Sequence, residues 1–198
     1  MDNQVEYYKH NFARMDARGA FVELSDYSLS IGKMLFRFVK YNQQTNKQEY
    51  KIDIYMDVQE YLGLCNLVES MYLMKKADFY KNKGQINDSL YEKLSGYTPD
   101  KVQGLQVPFQ IPQGKGLSKT FKIIPSTKYC YNLMALYRLG NANATGLIIP
   151  EGKTLSYIQI PMSHEDLAGL LMYGKIRIEA YETVKLRKYA GEYVFNRA

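Results

Sequence analysis

Tryptophan is absent from this chain of 198 residues, and cysteine and histidine occur only twice each. Cys65 and Cys130 are too few for a disulfide framework, and each sits in an apolar stretch, where a free thiol in a reducing compartment is the ordinary state. Neither His10 nor His164 has a Cys or His at ligand spacing, so no zinc pattern is present. No apolar run approaches the roughly 18 residues of a membrane span, and the opening "MDNQVEYYKHNFARMD" lacks the apolar stretch of a signal peptide. These absences predict a cytoplasmic protein with no membrane partner. There is no G-x-S-x-G elbow. "GKGLSK" (114–119) fails the phosphate-loop spacing, since Leu117 follows Gly116, and reads as a flexible basic loop. Asp53 falls in a strand. Glu165 and Asp166 fall in the first turn of a helix, where the dipole favours them. No general acid, metal or cofactor is predicted, and the chain is not expected to be an enzyme.

Aromatic residues are plentiful, with 19 Tyr and 8 Phe. Tyrosine can pack a core while its hydroxyl reaches water, or stack on a nucleobase, and composition does not separate the two. Charge is uneven. Residues 1–100 hold 13 Lys/Arg against 14 Asp/Glu, a net of −1, and residues 101–198 hold 13 against 6, a net of +7. The basic half suits an anionic partner, nucleic acid or a membrane surface, or serves solubility alone.

The chain makes one local transition twice. "KIDIYMDVQEYLGL" (51–64) and "YIQIPMSHEDLAGL" (157–170) align at an offset of 106, with Ile52 on Ile158, Met56 on Met162 and Gly63 on Gly169. In each, apolar residues at every second position end at an N-cap, Asp57 or Ser163. Three residues later comes an acid, Glu60 or Asp166, that can reach back to the cap N–H. Upstream, "FVELSDYSLSIGKMLFRFVKY" (21–41) lies against "FKIIPSTKYCYNLMALYRLGN" (121–141) at an offset of 100. Strands are predicted near 20–31, 33–41 and 48–56, then a helix near 58–82. The second unit has strands near 119–125, 128–139, 146–149 and 154–162, then a helix near 164–189.

Helical stripes run through Tyr61, Leu64, Val68, Met71 and Met74, and through Leu167, Leu171, Ile178 and Tyr181. Gly63 and Gly169, at equivalent sites, suggest close packing against the sheets. Gly174 offers an alternative end to the second helix, with "KIRIEAYETV" as a strand. Residues 1–83 form the first unit, with a short helix or arm up to about Arg18. Residues 84–118 form a linker with a potential edge strand at "LQVPFQI", and 119–198 form the second unit. The fold class is α+β, two repeats of a curved antiparallel sheet followed by a helix, packed as a pseudo-dimer.

Basic and aromatic residues alternate along these strands. Lys33, Arg37 and Tyr41 share one parity of "KMLFRFVKY", and Lys51 and Tyr55 share one parity of the next strand. In the second unit Tyr129, Tyr131 and Tyr137 share a parity, with Lys122, Lys128, Arg138, Lys153 and Tyr157 nearby. Such a face can meet phosphates and bases together, although Tyr and Lys are also common on solvated strands.

The order "FVELSDYSLSI…KMLFRFVKYN…YKIDIYMDVQEYLGL" resembles the positive cofactor four type of single-stranded DNA-binding fold, in which curved antiparallel strands precede one helix. The second unit resembles it through Ile158 to Leu170. Whirly proteins carry two such units in one chain. The resemblance implies a homo-oligomer that binds single-stranded nucleic acid, DNA first, with little sequence preference and serves transcription, replication or repair. The thirteen residues named above are its expected contacts. The alternative is a protein-interaction or structural subunit of a phage or mobile-element assembly, with tyrosines at its interfaces.

Overall fold

The computed structural model describes residues 10–105 and 107–195. It is α+β. Strands β1 (Asn11–Ala17), β2 (Ala20–Ser25), β3 (Lys33–Tyr41) and β4 (Gln48–Asp57) form one antiparallel sheet in that order, followed by helices α1 (Val58–Glu69) and α2 (Tyr72–Asn82). Strands β5 (Tyr91–Tyr97), β6 (Gly116–Pro125), β7 (Tyr131–Ala142) and β8 (Ile148–Met162) form the second, followed by α3 (His164–Phe195). At 1.5 Å per residue α3 is about 48 Å long.

Both strand-to-helix junctions close as their side chains dictate. The Asp57 N–H donates to Glu60 Oε2 at 3.2 Å. At the second junction the Ser163 N–H donates to Asp166 Oδ2 and the Asp166 N–H to Ser163 Oγ, both at 3.0 Å. Each acid relieves a helix-start N–H that has no intrahelical partner.

Several expectations are corrected. The segment before Arg18 is neither helix nor arm from Asn11 onward. It is β1, paired with β2 through Met15↔Val22; residues 1–9 lie outside the described residues. The 84–118 stretch contributes β5, whose Lys93 lies opposite Phe121. The edge strand is therefore "YEKLSGY" rather than "LQVPFQI", although Leu105, Val107, Phe109 and Ile111 still pack against the core. β6 begins at Gly116, so "GLSK" is strand rather than loop.

The helix expected over 58–82 is broken. Met71 adopts φ +62°, a left-handed conformation in which an L side chain is strained. α2 thereby turns toward the second unit, where Lys76 Nζ donates to the carbonyls of Ser89 and Leu90 at 3.4 and 3.1 Å. Met71→Gly is expected to raise stability by about 1 kcal/mol, since glycine takes this conformation without the Cβ penalty; an unchanged denaturant midpoint would contradict it. α3, in contrast, runs unbroken through Gly174.

Sheet register corrects the upstream alignment. Met34 lies opposite Met56 and Tyr131 opposite Met162, so with Met56 on Met162 the partner of Met34 is Tyr131, an offset of 97 rather than 100. Phe38 pairs with Val22 and Ala135 with Phe121, which likewise places Val22 on Phe121 at an offset of 99. An odd shift exchanges the faces of a strand. The core side of β3 is even (Met34, Phe36, Phe38), and the core side of β7 is odd (Tyr131, Leu133, Ala135, Tyr137).

The two units share one core. Phe36 of the first sheet lies 5.2 Å, centroid to centroid, from Phe121 of the second and 5.7 Å from Tyr61 of α1. The edge strands β4 and β8 meet the opposite unit through side-chain donors. The Tyr137 hydroxyl donates to the Lys51 carbonyl at 3.2 Å, and the Tyr50 hydroxyl to the Tyr157 carbonyl at 2.9 Å. Lys51 and Tyr157 are equivalent at the offset of 106, so each repeat caps the same unpaired edge carbonyl of the other. That protects strand edges which would otherwise be open to further pairing. The helices complete the junction, with the Tyr61 hydroxyl donating to the Leu171 carbonyl at 2.8 Å. Gly63 and Gly169 do not pack closely, since a Cβ built on either meets nothing within 4 Å.

Candidate nucleic-acid interface

The face of the first sheet opposite the core follows from alternation and register, and Glu23, Leu35 and Val39 on it are themselves buried. Register sets Lys33 of β3 opposite Asp57 of β4, Arg37 opposite Asp53 and Val39 opposite Lys51. The first two cross-strand pairs neutralise their cations, and Lys51 meets Asp53 of its own strand. Lys33 Nζ lies 2.7 Å from Asp57 Oδ1. Arg37 grips Asp53 with two bonds, Nε to Oδ1 at 2.9 Å and Nη2 to Oδ2 at 3.2 Å, with Glu23 at 3.9 Å. Lys51 stands 3.7 Å from Asp53. The hydrogen bond from Lys33 holds the Asp57 carboxyl below its ordinary pKa. Sequence parity finds the cations. It misses Asp53, Asp57 and Glu23 because their opposition depends on the hairpin register.

Tyr55 is partly exposed on the same face. Beside it lies Lys119, which sequence reading assigned to a mobile loop. Lys119 is 4% exposed, donates to the Asp53 carbonyl at 2.7 Å and the Tyr97 hydroxyl at 3.2 Å, and stands over the Tyr97 and Tyr55 rings at 4.2 and 5.7 Å. Burial lowers its pKa to about 8, against the opposing attraction of Asp53.

In the second unit two expected contacts are interior. Tyr131 is fully buried, its hydroxyl 2.9 Å from Nδ1 of a half-buried His164. Tyr137 is buried against Phe109. Burial raises the pKa of both hydroxyls. Neither ring can stack on a base from there, because the one-face exchange between the repeats turns this parity inward. Cys130, like His164, is half-buried.

The remaining residues lie outside the core. Lys122 pairs with Glu92 at 3.1 Å. Tyr129 is exposed in the turn before β7, with Lys128 Nζ 5.6 Å from its ring centre and Lys81 donating to its carbonyl at 3.0 Å. Lys153 is exposed on β8. Tyr157 is 55% exposed, next to the β4 edge at Tyr50. Tyr41 is half-buried with its ring 6.2 Å from Phe21. Arg138 is half-buried, and among the described residues its Nε is buried with no hydrogen-bond partner. The described residues contain no cluster of His, Cys, Asp and Glu able to hold a metal ion, and no helix among them is long and apolar enough to cross a membrane. Comparison of the chain with protein-family models, characterised proteins and solved structures gives no match.

Proposed function

We propose that this protein binds single-stranded nucleic acid, DNA in the first instance, along the strand surfaces of its two fused units, in the manner of the single-stranded DNA-binding proteins its strand-to-helix junctions resemble. The observation that carries the reading is the docking of the β4 and β8 edges. It brings the exposed Tyr157 of the second repeat to the Tyr50–Lys51 stretch of the first, so an exposed cation of one repeat and an exposed tyrosine of the other lie at the same junction. Stacking contributes about 1–3 kcal/mol per base, and lysines facing phosphate release counterions.

The test is fluorescence anisotropy with a labelled oligo-dT of about 30 nucleotides and a duplex of equal length, repeated across salt. Binding of the single strand is expected to be at least about tenfold tighter than that of the duplex and to weaken steeply with salt. Equal, weak binding to both would reject the reading.

A second reading, a protein-interaction subunit, draws on α3. There Met172, Tyr173, Ile176, Val184, Leu186 and Tyr189 are all exposed. A stable hetero-complex with no affinity for nucleic acid would favour it.

A further inference from the structure

The cations at the centre of the first sheet are held by carboxylates, and Arg14 on β1 is held by Asp16, but Arg18 and Lys40 at the far end have no carboxylate partner among the described residues. The β1–β2 turn and the β3–β4 hairpin enclose a cleft of about 500 Å³ bordered by Arg18, Gly19, Lys40, Tyr41, Gln43 and Glu49. Its floor is fixed, since the Tyr41 N–H donates to the Gly19 carbonyl at 3.0 Å. Gly19 takes φ +72°, the left-handed conformation that makes the turn and favours glycine, and it brings Lys40 Nζ to ordinary contact distance, 3.6 Å from a Cβ built there. Among the described residues Arg18 bonds only Gln43 Oε1, at 3.4 Å, and Lys40 has no ion pair. Glu49, the one carboxylate on the rim, pairs with neither. Tyr41 leans on Phe21, which itself lies beneath the Arg14 guanidinium at 3.6 Å, so its ring is braced from one side.

The second unit repeats the arrangement in part. The offsets of 99 and 97 place Gly19 on Ser118 and Tyr41 on Arg138, which lie opposite one another across β6 and β7. There the Ser118 Oγ and the Arg138 Nε are both buried without a hydrogen-bond partner among the described residues. An orphaned guanidinium N–H carries a desolvation cost that an anionic acceptor would remove. The same end of both sheets thus presents donors that no carboxylate satisfies.

We infer that the Arg18–Lys40–Tyr41 cleft is a nucleotide subsite: it takes a phosphate of a single strand between Arg18 and Lys40 and the adjoining base on Tyr41, and Arg138 marks the equivalent position in the second unit. The inference rests on the single-strand reading above, and locates its anchoring contacts at the hairpin ends rather than at Lys33, Arg37 or Lys122.

The experiment compares the unaltered chain, Arg18→Gln/Lys40→Gln, and the control Lys75→Gln/Lys185→Gln, two exposed helix lysines, by anisotropy with labelled oligo-dT across salt. Thermal melts check that each variant folds. The Arg18/Lys40 variant is expected to lose about tenfold in affinity and to flatten the salt slope by about 1, with the control near wild type. If the wild type binds but the Arg18/Lys40 variant keeps its affinity and slope, the cleft assignment is overturned and the functional reading stands. A wild type that does not bind the strand overturns both.

Discussion

Gly174→Ala is expected to destabilise the protein by about 2 kcal/mol, a large loss for a substitution that ordinarily favours a helix by roughly 1 kcal/mol. The reason is the α1–α3 crossing. A Cβ at position 174 would lie 2.0 Å from the Tyr61 hydroxyl oxygen and 2.5 Å from its Cζ. Tyr61 cannot swing aside cheaply. It is fully buried, lies against Phe36, and its hydroxyl is committed to the Leu171 carbonyl. Overpacking of this kind costs about 1–3 kcal/mol and sometimes more. Burial keeps the Tyr61 hydroxyl protonated well past its usual range, and it raises the neighbouring Cys65 thiol to about 12, so the crossing is uncharged at physiological pH. Urea denaturation should show the loss as a lower midpoint at constant slope.

Two comparisons isolate the cause. Gly63→Ala and Gly169→Ala, where a Cβ meets nothing, are expected to be neutral or to gain up to roughly 1 kcal/mol. In a Tyr61→Phe background, which removes the nearest atom, Gly174→Ala should cost about 1 kcal/mol less than in the wild type. Strict additivity would show that the helices separate as bodies and that the Tyr61 contact is not the origin of the loss.

The strand-to-helix junctions were legible in the sequence because their determinants are local. Alternation ending at Asp57-x-x-Glu60 or Ser163-x-x-Asp166 needs no knowledge of the rest of the chain, and the offset of 106 between them survives in the helix starts at Val58 and His164. Gly174 was harder to read. The sequence shows a glycine able to end a helix before "KIRIEAYETV" and does not show the tyrosine, 113 positions earlier, that requires it. The offset between β3 and β7 was also hidden. Met34 on Met134 is as plausible a match as Met34 on Tyr131, and only the ladder with β8 chooses between them. That choice exchanged the faces and moved Tyr131 and Tyr137 inside, which amphipathic tyrosines tolerate when their hydroxyls find partners. β5 escaped notice because "YEKLSGY" carries a glycine and two charges. Two of its inward positions, Lys93 and Tyr97, spend their polar ends on Glu60 and Lys119. The candidate site was legible in its residue types and illegible in its charge balance, since whether Arg37 is available to phosphate depends on Asp53, sixteen residues away across a hairpin.

Lys119 leads to the second large effect, an increase of stability with alkalinity. Its folded pKa of about 8 lies below the ordinary lysine value of 10.5, so the folded state holds the proton less tightly than the unfolded chain. Below pH 8 both states are protonated and stability does not change with pH on this account. Between about pH 8 and 10.5 the unfolded chain binds the extra proton, and Lys119 taken alone raises stability with pH, by about 3 kcal/mol if the shift is fully expressed. Tyr61, Tyr131 and Tyr137 act with the opposite sign. Their folded pKa values are raised, so their contribution is present below the unfolded value near 10 and lost as pH climbs beyond it. The Cys65 thiol, raised to about 12, acts the same way from its unfolded value near 9 upward, so the net gain from Lys119 is confined to about pH 8–9 and stability falls above it. Urea titrations at pH 7, 8, 9 and 10 should show stability rising from pH 8 to 9 in the wild type and falling over the same range in Lys119→Met, where only the thiol and tyrosine losses remain; a wild type that declines steadily from pH 8 would refute the assignment. The slope, rather than the absolute stability, is the readout, because the substitution also strips the Asp53 carbonyl and the Tyr97 hydroxyl of a donor. The Asp53 carbonyl belongs to the residue whose carboxylate holds Arg37 on the outer face. Loss of the Lys119 proton therefore loosens the anchor beneath a paired cation of the sheet while leaving the hairpin-end cleft of Arg18 and Lys40 untouched, so strand affinity should change far less than stability over the same pH range.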